Sequence, residues 1–206
     1  MKRFTSIELL VVVAITGILT SMLIPAIAKV NAESRSTVCL SNTKQSNTII
    51  QISLQDQDYK YICPWNRHGV DPLGNHQWRQ LWSEHLQSYD LDWEITSCID
   101  SPSSDGWAAY GSRYTPENSM DLASIDSPAS YWLLADTAIM SSGTLSPSFR
   151  LTEGFSSWLS SIHFRHNERS NVSFLDGHSK KLHKDNTKQY GLNGGYSQNG
   201  LRIYFP

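Results

Sequence analysis

Between Leu9 and Ala28 the chain runs for twenty residues without a charged side chain, interrupted only by Pro25. A helix of that length spans about 30 Å, enough to cross the hydrocarbon core of a bilayer. Beyond Ala28 the pattern turns polar, with no proline until Pro64. Helix-compatible residues from Lys29 to about Gln55 leave Val30, Val38, Ile49 and Ile52 available for packing, so one helix from Phe4 to Gln55 would reach about 78 Å. A second helix is expected from about His76 to Tyr89, where Trp78, Leu81, Trp82, His85, Leu86 and Tyr89 recur at three- and four-residue steps. That stripe fits either an aromatic platform for a sugar or a core-facing surface. Period-matched aromatics pack inward more often than not, so the core reading is preferred, with His85 as a hydrogen-bonded core histidine.

Turn chemistry dominates from Tyr89 to Phe155, at Ser101-Pro102, Asp105-Gly106 and Ser127-Pro128. Within it, Tyr131 to Ala135 reads as a short buried strand ending at Asp136-Thr137. Further on, Asn171 to Leu175 reads as a strand, Asp176-Gly177 as a two-residue type I′ turn, and His178 to His183 as the returning strand. Gly194-Gly195 sits in a glycine, asparagine and tyrosine-rich stretch expected to be a flexible loop, and Leu201 to Phe205 could form a last strand.

The flanks of the apolar run carry its chemistry. Lys2 and Arg3 precede it, which the positive-inside bias keeps on the cytoplasmic side, so the chain after about Lys29 should lie outside. Glu8 stands at the lip of the run, where a carboxylate facing lipid costs several kcal/mol unless something neutralises it. Three plainer readings compete: a single-pass anchor, a secretory signal cleaved after Ala26-Ile27-Ala28, and a buried core helix. Glu8 and the long apolar run count against the signal, and apolar character on every face counts against the core helix.

Composition narrows the remainder. The 206 residues, less the membrane segment, suffice for one domain of roughly 150 residues with its own core. A net charge of −2 and no basic run longer than Lys180-Lys181 argue against nucleic-acid binding. Seven tryptophans and nine tyrosines argue for a folded domain. Three cysteines, Cys39, Cys63 and Cys98, permit at most one bridge within a chain, and their spacing does not suggest zinc. No nucleophile elbow, phosphate-binding glycine loop or HExxH helix is present, so no catalytic residue and no cofactor is assigned. His166, Asp176 and His178 are the candidate metal ligands, but the strand between them separates His166 from the turn, and a structural reading without metal is preferred.

Several of these stretches share a pattern. Phe4-Thr5-Ser6-Ile7-Glu8-Leu9-Leu10-Val11-Val12-Val13-Ala14-Ile15 resembles the start of type IV pilins and type II secretion pseudopilins, with the acid as fifth residue from Phe4 and a proline late in the helix. Cys39-Leu40-Ser41-Asn42-Thr43-Lys44-Gln45, Ser97-Cys98, Ser127-Pro128 through Asp136, and His166 followed by nine residues and Asp176-Gly177 resemble the pilin-like proteins with a C-terminal H-x9-DG domain. The resemblance implies cleavage by a prepilin peptidase between Arg3 and Phe4 and methylation of the new amine. It also implies pairing of Glu8 with that amine on a neighbouring subunit, and a Cys39–Cys98 disulfide if any forms. The family carries glycine before the cut where this chain has Arg3, so incomplete processing is expected.

The expected architecture is α+β: a basic leader (1–3), a transmembrane and assembly helix (4–28), a helical stem (29–55) and an exported head (56–206) on a small antiparallel sheet, with the H-x9-DG hairpin at 166–183. The expected role is structural and not enzymatic, as a subunit of a type IV pilus or type II secretion filament. The resemblance implies a single pass through a bacterial inner membrane with the head in the periplasm or on the cell surface, and as partners the membrane, the peptidase and other pilin-like subunits. The rival is a monomeric anchored polysaccharide-binding protein or enzyme.

Overall fold

The computed structural model describes residues 5–62, 69–70, 76–77, 82–101, 109–113, 119–141, 143–152 and 160–204. Arg3, Phe4, Cys63, Trp78 and Leu81, singled out above, lie outside them, as does the His85 side chain. The chain divides into two compact units, residues 1–35 and 36–206. Helix α1 (Ser6–Asp56) contains Pro25. It is followed by β1 (Lys60–Ile62), β2 (Gly69–Val70), β3 (His76–Gln77), α2 (Trp82–His85), β4 (Tyr110–Arg113), β5 (Ser119–Asp121) and β6 (Trp132–Ser141). The remaining strands are β7 (Thr144–Pro147), β8 (Arg150–Leu151), β9 (Ser161–Phe164), β10 (Arg169–Phe174), β11 (Ser179–His183), β12 (Gly194–Ser197) and β13 (Arg202–Tyr204).

The fold is α+β, one long N-terminal helix with a nine-stranded sheet. Its order is β11-β10-β6-β9-β12-β13, with β4 and β7 also on β6 and β8 on β4. Most pairings are antiparallel, but β12 with β9 and β4 with β8 are parallel, so the sheet is mixed. Strand β6 runs past the expected end at Asp136-Thr137, and every residue from Trp132 to Ala138 is buried. A strand covered on both faces reads as a continuous apolar run, which is why its first half is visible in the sequence and its second half, opened by Asp136, is not.

Two cores flank this strand. One gathers Ile50 and Leu54 of α1 with Trp82, Leu86, Leu91, Tyr110, Leu122, Leu133 and Leu175. The other holds Trp132, Leu151, Ile162, Phe164, Val172, Phe174, Leu182 and Leu192. Trp82 and Leu86 are buried, in keeping with the core reading of their stripe. The helix itself starts only at Trp82, because His76–Gln77 is drawn into pairing with β2.

The part of α1 that belongs to the head packs through a face other than the expected one. Ser36, Cys39, Thr43, Ser46, Asn47, Ile50, Ser53 and Leu54 are buried, whereas Val38 and Ile52 are about half exposed at 54% and 50%. The buried stripe keeps three- and four-residue steps but is made of small and polar side chains, which let the helix backbone approach the sheet. Its polar groups are used: Asn47 Nδ2 donates to the Phe174 carbonyl at 3.0 Å and Gln51 Nε2 to that of Leu175 at 2.9 Å. The Ser173 hydroxyl donates to the Thr43 carbonyl at 3.3 Å.

The β10–β11 hairpin forms, with a different turn. Phe174 N–H donates to the His178 carbonyl and Gly177 N–H to the Phe174 carbonyl, closing a three-residue connection, Leu175-Asp176-Gly177. Only Gly177 has positive φ, at 91°, which corresponds to a type I turn with a glycine bulge and corrects the type I′ expectation. A two-residue turn with positive φ at both positions occurs instead at Asn167 (51°) and Glu168 (61°), where His166 and Arg169 exchange backbone hydrogen bonds at 3.1 Å. Gly194-Gly195 is likewise ordered within β12, where a Cβ on Gly195 would come within 2.7 Å of the Ile162 carbonyl oxygen. Only glycine allows β12 to pair that closely with β9.

Candidate functional site

In the N-terminal unit the large apolar side chains from Ile7 to Ile27 are all exposed, at 48% or more of their surface. This is the helix long and apolar enough to cross a membrane, and no part of the apolar span is buried within the chain. Its hydroxyls are satisfied internally: Thr16 donates to the Val12 carbonyl at 2.9 Å, Thr20 to Thr16 at 2.7 Å and Ser21 to Ile18 at 2.7 Å. Such pairing removes most of the cost of placing them in lipid. Glu8, expected from the sequence to lack a partner of its own, has one. Its Oε2 accepts from the backbone N–H and the hydroxyl of Thr5, both at 2.8 Å, and Glu8 N–H lies 3.4 Å from Thr5 Oγ1. That is a capping box, Thr-x-x-Glu, whose signature stands in the sequence at Thr5 to Glu8. Glu8 therefore serves its own helix start, and any role between subunits is additional.

In the head, a buried polar cluster forms where α1, the segment after a short 3-10 helix at Trp93–Thr96, β6 and the Asn167-Glu168 turn converge. Asp92 caps that 3-10 helix by accepting from Glu94 N–H at 2.9 Å, and Ser101 N–H closes a turn onto the Cys98 carbonyl at 2.8 Å. Tyr110 Oη donates toward the carbonyls of Cys39, at 3.1 Å, and Ser97, at 3.2 Å, bringing the two cysteine segments together. The Cys39 and Cys98 sulfurs, both buried thiols, lie 2.7 Å apart. His166 Nε2 is 3.5 Å from Cys98 Sγ and 3.5 Å from Asp136 Oδ2, and its Nδ1 is 3.2 Å from Asp100 Oδ2.

Asp136 sits where β6 exchanges one partner for another, β10 pairing with Trp132 to Ala135 and β9 with Thr137 and Ala138. Its carboxylate is fully buried. Burial raises its pKa, against the opposing charges of Arg165 and His166 and a hydrogen bond from Asn171 N–H at 2.7 Å. Arg165, also buried, places Nε 3.7 Å from Asp136 Oδ1 and donates from Nη2 to the carbonyls of Thr137, at 2.6 Å, and Ala109, at 3.2 Å. Burial disfavours the charged form of His166, but hydrogen bonding to Cys39 and the charge of Asp136 outweigh it and hold its pKa above the ordinary value. Hydrogen bonding from Cys98, opposed by burial and reinforced by His166, lowers that of the Cys39 thiol. The cluster is a thiol pair beside a histidine flanked by carboxylates, an arrangement suited to thiolate chemistry.

The candidate metal set does not assemble. His166 lies with the cysteines at one end of β10, while Asp176 lies beyond the other end, six strand residues or about 20 Å away. There Asp176 Oδ1 accepts from His178 N–H at 3.1 Å and contacts His178 Nδ1, both partly exposed. Asp136, Arg165, Asp100 and Tyr110 were not singled out for the cluster from the sequence. The readable signal was an acid terminating an apolar strand pattern, which demands a cation when the strand continues.

A second buried histidine, His163, follows the opposite course. Burial, aided by the positive charge of Arg165, lowers its pKa to about 3. Between pH 6.5 and about 3 the unfolded chain binds a proton at this site that the folded chain does not, so stability falls as pH falls through that window. Replacing His163 with Gln should flatten the loss by up to about 1.4 kcal/mol per pH unit, measurable by urea denaturation at pH 7, 5.5 and 4.5.

No family model matches the chain, and neither the curated proteins nor the solved structures contain a significant match to it.

Proposed function

We propose that this chain is a structural, pilin-like subunit that is stored in the membrane by α1 and assembles through the same helix into a filament of the type IV pilus or type II secretion kind. The observation that carries the reading is the apolar segment from Ile7 to Ile27, exposed on all sides and opened by Glu8. Apolar surface of that extent needs lipid or like helices to cover it. The continuation of the same helix to Asp56, with its second half built into an α+β head, supports a subunit in which anchor and head are one element. In the filament, Glu8 would receive the amine of Phe4 from an adjacent subunit while keeping its bond to Thr5.

N-terminal mass spectrometry of the native protein tests the reading. The expected result is a mixture of full-length chain and chain beginning at Phe4, the latter methylated on its amine, with Arg3 slowing the cut. A chain beginning at Lys29 would replace this reading with a cleaved secretory signal. A wholly unprocessed chain that forms no crosslinks between subunits along Leu9 to Ile27 would leave a plain anchor.

A further inference from the structure

We infer that Cys39 and Cys98 close as a disulfide in the folded protein, and that His166 takes up the proton released by Cys98 as they do so. The sulfurs are 2.7 Å apart and buried. Two thiolates sharing a tetrahedral zinc at about 2.3 Å each would stand about 3.8 Å apart, whereas a covalent bond needs about 2.05 Å. The observed approach leaves no room for a metal between them and requires only a small further movement to bond. His166 offers Nε2 at 3.5 Å from Cys98 and is held from its other nitrogen by Asp100 at 3.2 Å. Asp136, 3.5 Å from Nε2, stabilises the imidazolium that proton uptake creates. The same proximity favours a thiolate at Cys39, the stronger nucleophile of the two.

Closure breaks two S–H bonds and makes one S–S bond. The oxidant is an external disulfide of the glutathione or protein-dithiol class. Cys39 thiolate attacks it, expelling one thiol, and Cys98, giving its proton to His166, attacks the resulting mixed disulfide and expels the second. Two electrons and two protons leave with the reduced oxidant. The bond would link α1 to the segment after Trp93–Thr96 across 59 positions of sequence, locking the helix into the head.

The test uses the full chain carrying Cys63→Ala, extracted from membranes in detergent under an acid alkylating quench. Peptide mapping should find Cys39 joined to Cys98, with the linkage absent in Cys98→Ser. Reduction should lower the melting temperature by roughly 5–15 °C. Refolded from the reduced state in glutathione buffer at pH 7, His166→Gln should close roughly tenfold more slowly, with its rate rising only toward the ordinary thiol range. If that variant does not fold, the rate of the Cys63→Ala chain carries the test, and should level off well below pH 8.5.

Both thiols alkylated after equilibration in oxidised glutathione would overturn the bond, as would one zinc per chain released by chelator with both thiols free. An unmoved pH profile would overturn the part given to His166. Linkage in the cell rests on export of the head, so free thiols there together with closure in buffer would count against export and not against the disulfide.

Discussion

Glu8→Ala and Glu8→Gln are both expected to insert into the membrane and to lose filament assembly by tenfold or more, but only Glu8→Ala should also weaken the start of α1. The distinction comes from the capping box. Gln at that position still accepts from Thr5 N–H, so it preserves the bond that Glu8 makes at 2.8 Å while removing the charge. Ala removes both, adding about 1 kcal/mol of lost capping. A charge-assisted bond to the Phe4 amine of a neighbour is worth about 1.5–3 kcal/mol, which corresponds to roughly tenfold to hundredfold in association. Glu8→Asp should fall between, since its charge survives with a shorter reach. The measurement is crosslinking between subunits and the yield of sheared filament, against total membrane-inserted protein. If Glu8→Gln assembles as well as the unmodified chain, the carboxylate serves only its own helix and pairing between subunits is wrong.

The second large effect lies in the head. Arg165→Met leaves the fully buried carboxylate of Asp136 without its guanidinium, and should cost about 3–5 kcal/mol of stability. Thermal melting of the solubilised protein should then shift down by roughly 10 °C. The double variant Asp136→Asn, Arg165→Met removes the charge as well as its partner and should recover more than half of the loss, because an uncharged amide can still accept from Asn171 N–H. A loss in the double variant as large as the sum of the two single losses would mean that the residues act independently, against the coupling their geometry requires.

In the N-terminal unit, local chemistry was enough. A charge-free run from Leu9 to Ala28 can only be a helix that lipid or other helices cover, and Thr5 to Glu8 spells its cap, although the significance of that cap emerged only when its bonds were seen. The α+β class and the β10–β11 hairpin were legible for the same reason, since alternation and a glycine turn act over a few residues. The kind of turn was not. Whether two or three residues connect the strands depends on register, and here Ser173 pairs with Ser179 because Phe174 reaches across to His178.

What the sequence by itself determined was therefore everything governed by neighbours within about one helical turn or one strand pair: the apolar helix, its continuation, the capping signature and the existence of a sheet. Tertiary structure decided which face of α1 packs, because small polar residues such as Thr43 and Asn47 gain their place only from the Ser173 and Phe174 groups that meet them. It also decided that Asp136 continues a strand, since a carboxylate can be buried there only with Arg165 and His166 beside it, some thirty positions away. Cys39, Cys98 and His166 meet for the same reason. Their encounter depends on three separate elements docking at once, and contacts that long in sequence leave no periodic mark for hydropathy or turn chemistry to reveal.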